Sequence, residues 1–599
     1  MVWTNPASRE GTRYKAAESR NHKWELSYNR KTSTAFTSQR RYPEDPPMFS
    51  NVPLKTLRFT PAVVVAMVGL LAAVILLSPI TVSLDGYSHL YNAHMLARRL
   101  GGDATARTYF VYNSPFLPSW VLPLALAALS RILSLEVSLK LLILAVGMAL
   151  VGALLRATDS GRMEVGQQWS KALLLLPIVV NGLLTLGFYA FLCSSAICIL
   201  VLRSILRHGL KTSKVRQIGR LALLLAAYFF HPFPPLLSLL FPSSYLIAVL
   251  VSLPRWSFRR AVRIVRRKLI YFWPWAPILA LTLVFALRLN SQHPTTAPPD
   301  SLVHSVAARA LEVSRPDGLL YLSPSPAAGS LFLAFLTVVG TRALLNRASS
   351  PRAGLRLATL RIGLLLILLA YILTPDAIGD GLYLPQRILF YAILLLVLLS
   401  LNESTSDPRL VAAGCLLATL VLSAFAGEYV LVSRRMAPSL VAFRESMSVV
   451  PAGSPTLLLG YRTTPNCTGW PLLERAVPER HWAMGVAAAK GLMVLNDYEA
   501  ATNDFPLRYR HPEIGSDVVD ELDVSNEKKL AAWNAVLRRN DPSAEFVIVW
   551  GVPRGVSSCP APIAPPLEDV LSLHYERIIS TEGASPIQIW RRRSSLARP

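Results

Sequence analysis

Residues 81–113 read TVSLDGYSHLYNAHMLARRLGGDATARTYFVYN and follow directly on the first apolar run long enough to cross a bilayer. A helix that starts at or just before Tyr87 sets Asp85, His89 and Asn92 four and three residues apart on one face. Leu90, Ala93, Ala97 and Leu100 then line another face. The spacing predicts a short amphipathic helix along a membrane surface, with a carboxylate and an imidazole turned to one side. The plainer alternative is that Asp85 only caps this helix and His89 is an interfacial polar side chain.

Composition supports the membrane. The 599 residues are 52% hydrophobic and only 16% charged, with mean hydropathy +0.40, where a soluble chain would carry about 25% charged residues. A net charge of +25 would suggest nucleic acid in a soluble protein. Here the cations sit between apolar runs, as membrane topology requires, so a nucleic-acid partner is not expected.

Residues 1–57 are polar and basic, without a stretch apolar enough to bury, and read as a disordered cytoplasmic tail. Runs near the roughly 20 residues that a bilayer needs fall at about 59–84, 116–134, 138–155, 187–206, 219–233, 234–253, 269–289, 326–346, 354–374, 383–402 and 409–431. Arginine and lysine crowd the loops at 203–220, 255–268 and 342–361. If these are cytoplasmic, the ambiguous segment 172–203 crosses once, with 172–183 a half-helix ended near Asn181-Gly182. The expected architecture is a mainly α, polytopic transmembrane helical bundle of about eleven spans over 58–435, with its first outer loop at 85–115. Its N-terminus is cytoplasmic and its C-terminus lies outside the plasma membrane.

From 436 to 599 the composition shifts to that of a small α/β domain, expected to be extracytoplasmic. Pro455–Tyr461 and Phe546–Gly551 read as buried strands, Asn526–Arg539 and Pro565–Tyr575 as helices, and 577–581 with 586–591 as a closing strand pair. Cys467 and Cys559 lie in this part and can pair in an oxidising compartment. The domain has no glycine-rich phosphate loop and no nucleophile elbow.

The unusual polar residues gather on the outer side. Asp376 and Asp380 sit in the turn TPDAIGDGLYLPQR, and Arg387 opens the next span, where a guanidinium can hold a phosphate bidentately. His231 precedes Pro-Phe-Pro-Pro, and Asn181 and Tyr189 can line a cavity beside the half-helix. Glu428 is a weaker candidate, and Asn496–Arg510 is an irregular polar and aromatic stretch able to cover a site. Each has a bland counterpart: turn carboxylates, a snorkelling arginine, a capping histidine, close helix packing at glycines. A divalent cation, magnesium or manganese, can be held by Asp85 and His89, with Asp380 as a third ligand. Zinc spacing of the HxxxH type is absent.

The order of these features resembles the GT-C superfamily of polytopic glycosyltransferases, of bacterial inner-membrane type. A first span delivers an acid into the first outer loop (SLDGYSHLYNAHML), an amphipathic helix follows, then many spans and an outer α/β domain. The chain is also similar to bacterial membrane proteins with LDxxxH, FYxF and HP segments, here Asp85 to His89, Phe188 to Phe191 and His231-Pro232. It departs from the oligosaccharyltransferases, having no paired acids in the first loop and no WWD motif. The resemblance implies a polyprenyl-phosphate-linked sugar donor, an extracytoplasmic acceptor and surrounding membrane lipids. It implies Asp85 as general base or metal ligand and Arg387 at the departing phosphate, assisted by His231 or His89. Competing expectations are a transporter or lipid flippase, which needs ionisable groups at mid-membrane depth, and a non-catalytic scaffold.

Overall fold

The 17 residues Pro61–Leu77 form helix α1, apolar throughout and without a charge in either end turn. The computed structural model describes residues 61–158, 165–253, 257–292, 309, 326–345, 351–375, 383–403, 408–461, 479–502, 505–511, 521–522, 544–551, 565–581 and 587–593. The basic tail, Asp376, Asp380, Cys467, Cys559 and the helix expected at 526–539 lie outside these residues.

After α1 come α2 (Gly86–Leu100), α3 (Ala104–Tyr109), strand β1 (Phe110–Tyr112), α4 (Val121–Leu129), α5 (Leu135–Thr158), α6 (Val165–Leu175), α7 (Gly182–Thr185) and α8 (Tyr189–His208). Next are α9 (Lys214–Phe230), α10 (Phe233–Leu237), α11 (Leu240–Val251), α12 (Phe258–Leu269) and α13 (Ala276–Gln292). The bundle ends with α14 (Pro326–Leu345), α15 (Pro351–Leu373), α16 (Leu384–Glu403) and α17 (Pro408–Ser446). Seven of the described helical stretches are long and apolar enough to cross a membrane.

One expected span is not a span. The 116–134 stretch folds as α4, nine residues or about 14 Å long, against a hydrocarbon core about 30 Å thick. Helix α5 therefore starts where α1 ends: Glu136 Oε1 accepts hydrogen bonds from Thr81 Oγ1 at 2.6 Å and from the Tyr87 hydroxyl at 3.0 Å. Lys140 Nζ, a turn further along, donates to the Ser78 carbonyl at 2.5 Å and so satisfies an orphan acceptor just past α1. Since α5 leads away from this end, α6 and the turn Leu176–Ile178 bring the chain back to it. There the N–H groups of Leu84 and Asp85 donate to the carbonyls of Thr185 and Leu186, at 2.9 and 3.3 Å. The half-helix expected at 172–183 thus does the return that 116–134 does not.

The terminal domain is a mixed sheet. Strands β2 (Pro455–Tyr461), β3 (Met493–Val494), β5 (Glu521–Leu522), β6 (Phe546–Gly551), β7 (Tyr575–Thr581) and β8 (Ile587–Arg592) run in the order β3-β2-β6-β8-β7, with β5 also on β2. Strand β2 is parallel to β3, β5 and β6, and β8 is antiparallel to both neighbours. Leu457, Leu458 and Leu459 on β2 and Val547, Ile548 and Val549 on β6 are all buried, as unbroken apolar runs predict for parallel strands covered on both faces. Helices α18 (Glu479–Lys490), α19 (Tyr498–Ala501) and α20 (Pro565–His574) complete the domain.

A two-stranded sheet outside that core ties the first loop to the domain: β1 pairs antiparallel with β4 (Leu507–Tyr509), with Val111 opposite Arg508. Helix α18 lies on α2 so closely that a Cβ on Gly485 would come within 2.4 Å of the Tyr87 ring. Consequently α2 is not a surface helix with one wet face. Its polar residues Ser88, His89 and Asn92 are buried along with Leu90, Ala93 and Leu96, the former covered by the terminal domain.

Candidate active site at the seam between first loop and terminal domain

Asp85 occupies the N-cap position of α2, yet its side chain makes no capping hydrogen bond. Its Oδ1 instead stands 3.5 Å from Nε2 of His481, a buried residue of α18. The backbone at Asp85 is clamped against the turn before α8. Gly187, at φ +92°, has space only for hydrogen there, since a Cβ would fall 2.8 Å from the Asp85 Cβ and 3.1 Å from its nitrogen.

One turn on, His89 is held by both ring nitrogens. Nδ1 stands 2.5 Å from Glu499 Oε1, and Nε2 is 2.9 Å from the Gly187 carbonyl. A carbonyl only accepts, so Nε2 carries a proton, and the carboxylate calls for a second one on Nδ1. Burial disfavours that charge, but the field and hydrogen bond of Glu499 outweigh it, helped by Asp85, and raise the His89 pKa to about 9. His89 is therefore an imidazolium at neutral pH. Its ring lies 5.9 Å from those of Tyr189 and Phe505.

Glu499 is placed by α19, whose N-cap Asp497 accepts from the Glu499 N–H at 3.2 Å. The same Asp497 oxygen accepts from Ser88 Oγ at 3.2 Å. Tyr91 adds a third link, donating to the Leu492 carbonyl at 3.1 Å and accepting from the Val494 N–H at 2.8 Å. Within about one helical turn, Ser88, His89 and Tyr91 thus dock α2 on the segment from 492 to 499.

Arg387 and His231 form a second cluster. Arg387 Nη1 is 3.0 Å from His231 Nε2, and the guanidinium stacks 4.2 Å from the centre of the Phe188 ring. His231 Nδ1 meanwhile accepts the Phe233 N–H at 3.2 Å. Two donors thus point at one ring, and a neutral imidazole has a single lone pair in its plane. Phe188 follows Gly187 directly, so two consecutive residues touch Asp85 and Arg387.

No family model and no curated protein sequence matches the chain. Two solved structures do resemble it. ArnT from Cupriavidus metallidurans in the apo state superposes with a TM-score of 0.47 at 13% identity, over 90% of this chain and 99% of that one. The same ArnT bound to undecaprenyl phosphate gives a TM-score of 0.50 at 11% identity, with the same coverage. The chain has an ArnT-like fold. This architecture is the one expected from the sequence over about residues 59–599.

Within this fold, the residues singled out in the sequence separate into two groups. Asp85, His89, His231 and Arg387 converge around Gly187-Phe188. Asn181 instead caps α7, accepting the Leu184 N–H at 3.0 Å and donating to the Ile178 carbonyl at 2.7 Å. Tyr189 donates to Ser83 Oγ at 2.6 Å and is buried, so both are structural pins. Asn92 is buried, and neither amide atom has a hydrogen-bond partner among the described residues.

Three residues of this site had no sequence signal of their own. His481, Asp497 and Glu499 are isolated in the sequence, although the last two lie in the stretch at 496–510 noted as able to cover a site. Both His89 ring nitrogens are already faced, Nε2 by the Gly187 carbonyl and Nδ1 by the Glu499 carboxylate. Among the described residues, no group of three His, Cys, Asp or Glu side chains is arranged to hold an ion.

Proposed function

We propose that this protein is a membrane glycosyltransferase that moves a sugar from a polyprenyl-phosphate donor to an extracytoplasmic acceptor. The observation that carries the reading is the convergence on Gly187-Phe188, where Gly187 abuts Asp85 and the next residue, Phe188, carries the stacked Arg387 guanidinium. Inverting transfer needs this pair: a base where the acceptor enters and a cation where the phosphate leaves.

In the reaction, the acceptor hydroxyl oxygen attacks the anomeric carbon as the bond from that carbon to the phosphate oxygen breaks. The hydroxyl proton passes to Asp85, and the released negative charge develops on the polyprenyl phosphate. Arg387 and the Nε2–H of His231 donate to that charge. An oxygen accepting from both also relieves the competition of two donors for one imidazole lone pair. His481 orients the Asp85 carboxylate, and His89 holds the Gly187 carbonyl and, through it, the turn against which Asp85 rests. The polyprenyl chain lies along the apolar bundle, and this end of the bundle faces away from the cytoplasm. The arginine-rich segments at 203–216 and 258–268 lie at the other end, as positive-inside sorting requires.

The decisive assay follows release of labelled sugar from polyprenyl-phosphate donors by the purified protein in detergent. Activity in the wild type that falls about 10²-fold or more in Asp85→Asn supports the reading. Equal turnover by both proteins would remove Asp85 from the chemistry and leave a scaffold.

A further inference from the structure

Helix α12 takes no part in the site, and the elements around it place it at the opposite end of the bundle. Helix α9 runs from Lys214 to the His231 turn, α11 runs back to Val251, and α12 begins at Phe258. Its sequence, FRRAVRIVRRKL, holds six cations in twelve residues.

The distribution round the axis is specific. At 3.6 residues per turn, Ala261, Ile264, Val265 and Lys268 share one side; Ala261 is buried, and Ile264 and Val265 pack against the core. Next to that side, within about 40° of arc, lie Phe258, Val262 and Leu269, which are 72%, 48% and 53% exposed. Beyond them come Arg266, Arg259, Arg263, Arg267 and Arg260, all exposed. Among the described residues, no ion pair joins these arginines to a carboxylate.

The helix therefore has three sides: protein, an uncovered apolar stripe, and a cationic arc beginning beside the stripe. Water is a poor environment for that stripe, and hydrocarbon is a worse one for the arc. A membrane–water boundary satisfies both, with the stripe among acyl chains and the guanidinium groups at phosphate level. The chain continues into Ile270–Trp275, IYFWPW, where Ile270 and Trp273 are exposed, an aromatic stretch suited to the same boundary. From Leu269 to Leu287 no residue carries a charge, so the hydrocarbon starts where α12 stops.

We infer that α12 is an interfacial helix that binds the phosphate headgroups of anionic phospholipids at the end of the bundle opposite the candidate active site. Arg259, Arg263 and Arg266, next to the apolar stripe, make the headgroup contacts. This assignment does not depend on the glycosyltransferase reading.

The test uses the full chain, purified in a nonionic detergent and titrated with phosphatidylglycerol or phosphatidylcholine, with bound lipid counted by native mass spectrometry. The wild type is expected to retain phosphatidylglycerol in preference by about tenfold, and to lose much of that preference between about 50 and 500 mM salt. The triple variant Arg259→Gln/Arg263→Gln/Arg266→Gln should lose the preference, and the corresponding triple lysine variant should keep it. Equal retention of the two lipids by the wild type overturns the inference. So does a glutamine variant that retains phosphatidylglycerol like the wild type. If the glutamine variant fails to fold, the wild-type salt series and the lysine variant decide: a preference insensitive to salt, or lost on lysine substitution, removes simple headgroup attraction.

Discussion

His89 and Glu499 meet at 2.5 Å, an ion pair between the first loop and the terminal domain in which both partners are buried. The His89 pKa is raised from its ordinary 6.5 to about 9. A group raised on folding lends stability that is complete below its unfolded pKa and lost as pH rises through the folded one. The protein should thus lose on the order of a few kcal/mol between about pH 6.5 and 9. Thermal unfolding by tryptophan fluorescence over that range should show the decline, and Glu499→Gln should flatten it. A wild-type midpoint independent of pH would rule the imidazolium out.

Removing one member of this pair leaves the other charge buried. His89→Gln and Glu499→Ala should each destabilise by about 3–5 kcal/mol. The double variant His89→Gln/Glu499→Gln, with two neutral amides, should cost less than the more damaging single change. Denaturation of the three variants beside the wild type gives the coupling.

Gly187 is asked for a left-handed conformation and for room. Gly187→Ala places a methyl carbon 2.8 Å from the Asp85 Cβ, so Asp85 must shift. Sugar transfer should fall about 10²-fold, since a displacement near 1 Å at a reacting group has that effect. Normal activity in Gly187→Ala would show that the Asp85 turn is not positioned through this contact.

Arg387 both stacks on Phe188 and approaches His231. Lysine keeps the charge without the planar fork. Arg387→Lys should therefore raise the KM for the polyprenyl-phosphate donor and lower kcat, together by roughly 10–10²-fold in kcat/KM. Initial-rate kinetics against donor concentration would measure this, and unchanged kinetics would place the phosphate elsewhere.

The β1–β4 pairing can be trapped. Val111 and Arg508 are directly opposite, at the roughly 5.5 Å Cα separation that suits a disulfide. Val111→Cys/Arg508→Cys should crosslink in cells without added oxidant if both segments face an oxidising compartment. Protease cleavage between the two sites followed by a non-reducing gel would detect the link. Free thiols throughout would contradict the pairing or the proposed side.

Properties that are local can be read along the chain. Apolar length and the alternation of charge with it mark the bundle, because transfer of some twenty side chains into lipid is a sum over neighbours in the chain. The unbroken apolar runs at 455–461 and 546–551 mark β2 and β6 for the same reason. Asp85 and Arg387 were legible as ionisable groups at the ends of such runs. Tertiary structure alone decided the rest. The nine residues of α4 have the composition of a span, and only the contact of Glu136 with Thr81 and Tyr87 sets the direction of α5. The wet face expected of α2 is dry because α18 and α19 cover it, and no periodicity within α2 encodes a cover that folds from residues 479–501. Nor can a chain reading pair His89 with Glu499 or Asp85 with His481. Such pairs arise only when packing takes distant polar groups out of water together, and burial then makes each the other's necessary partner.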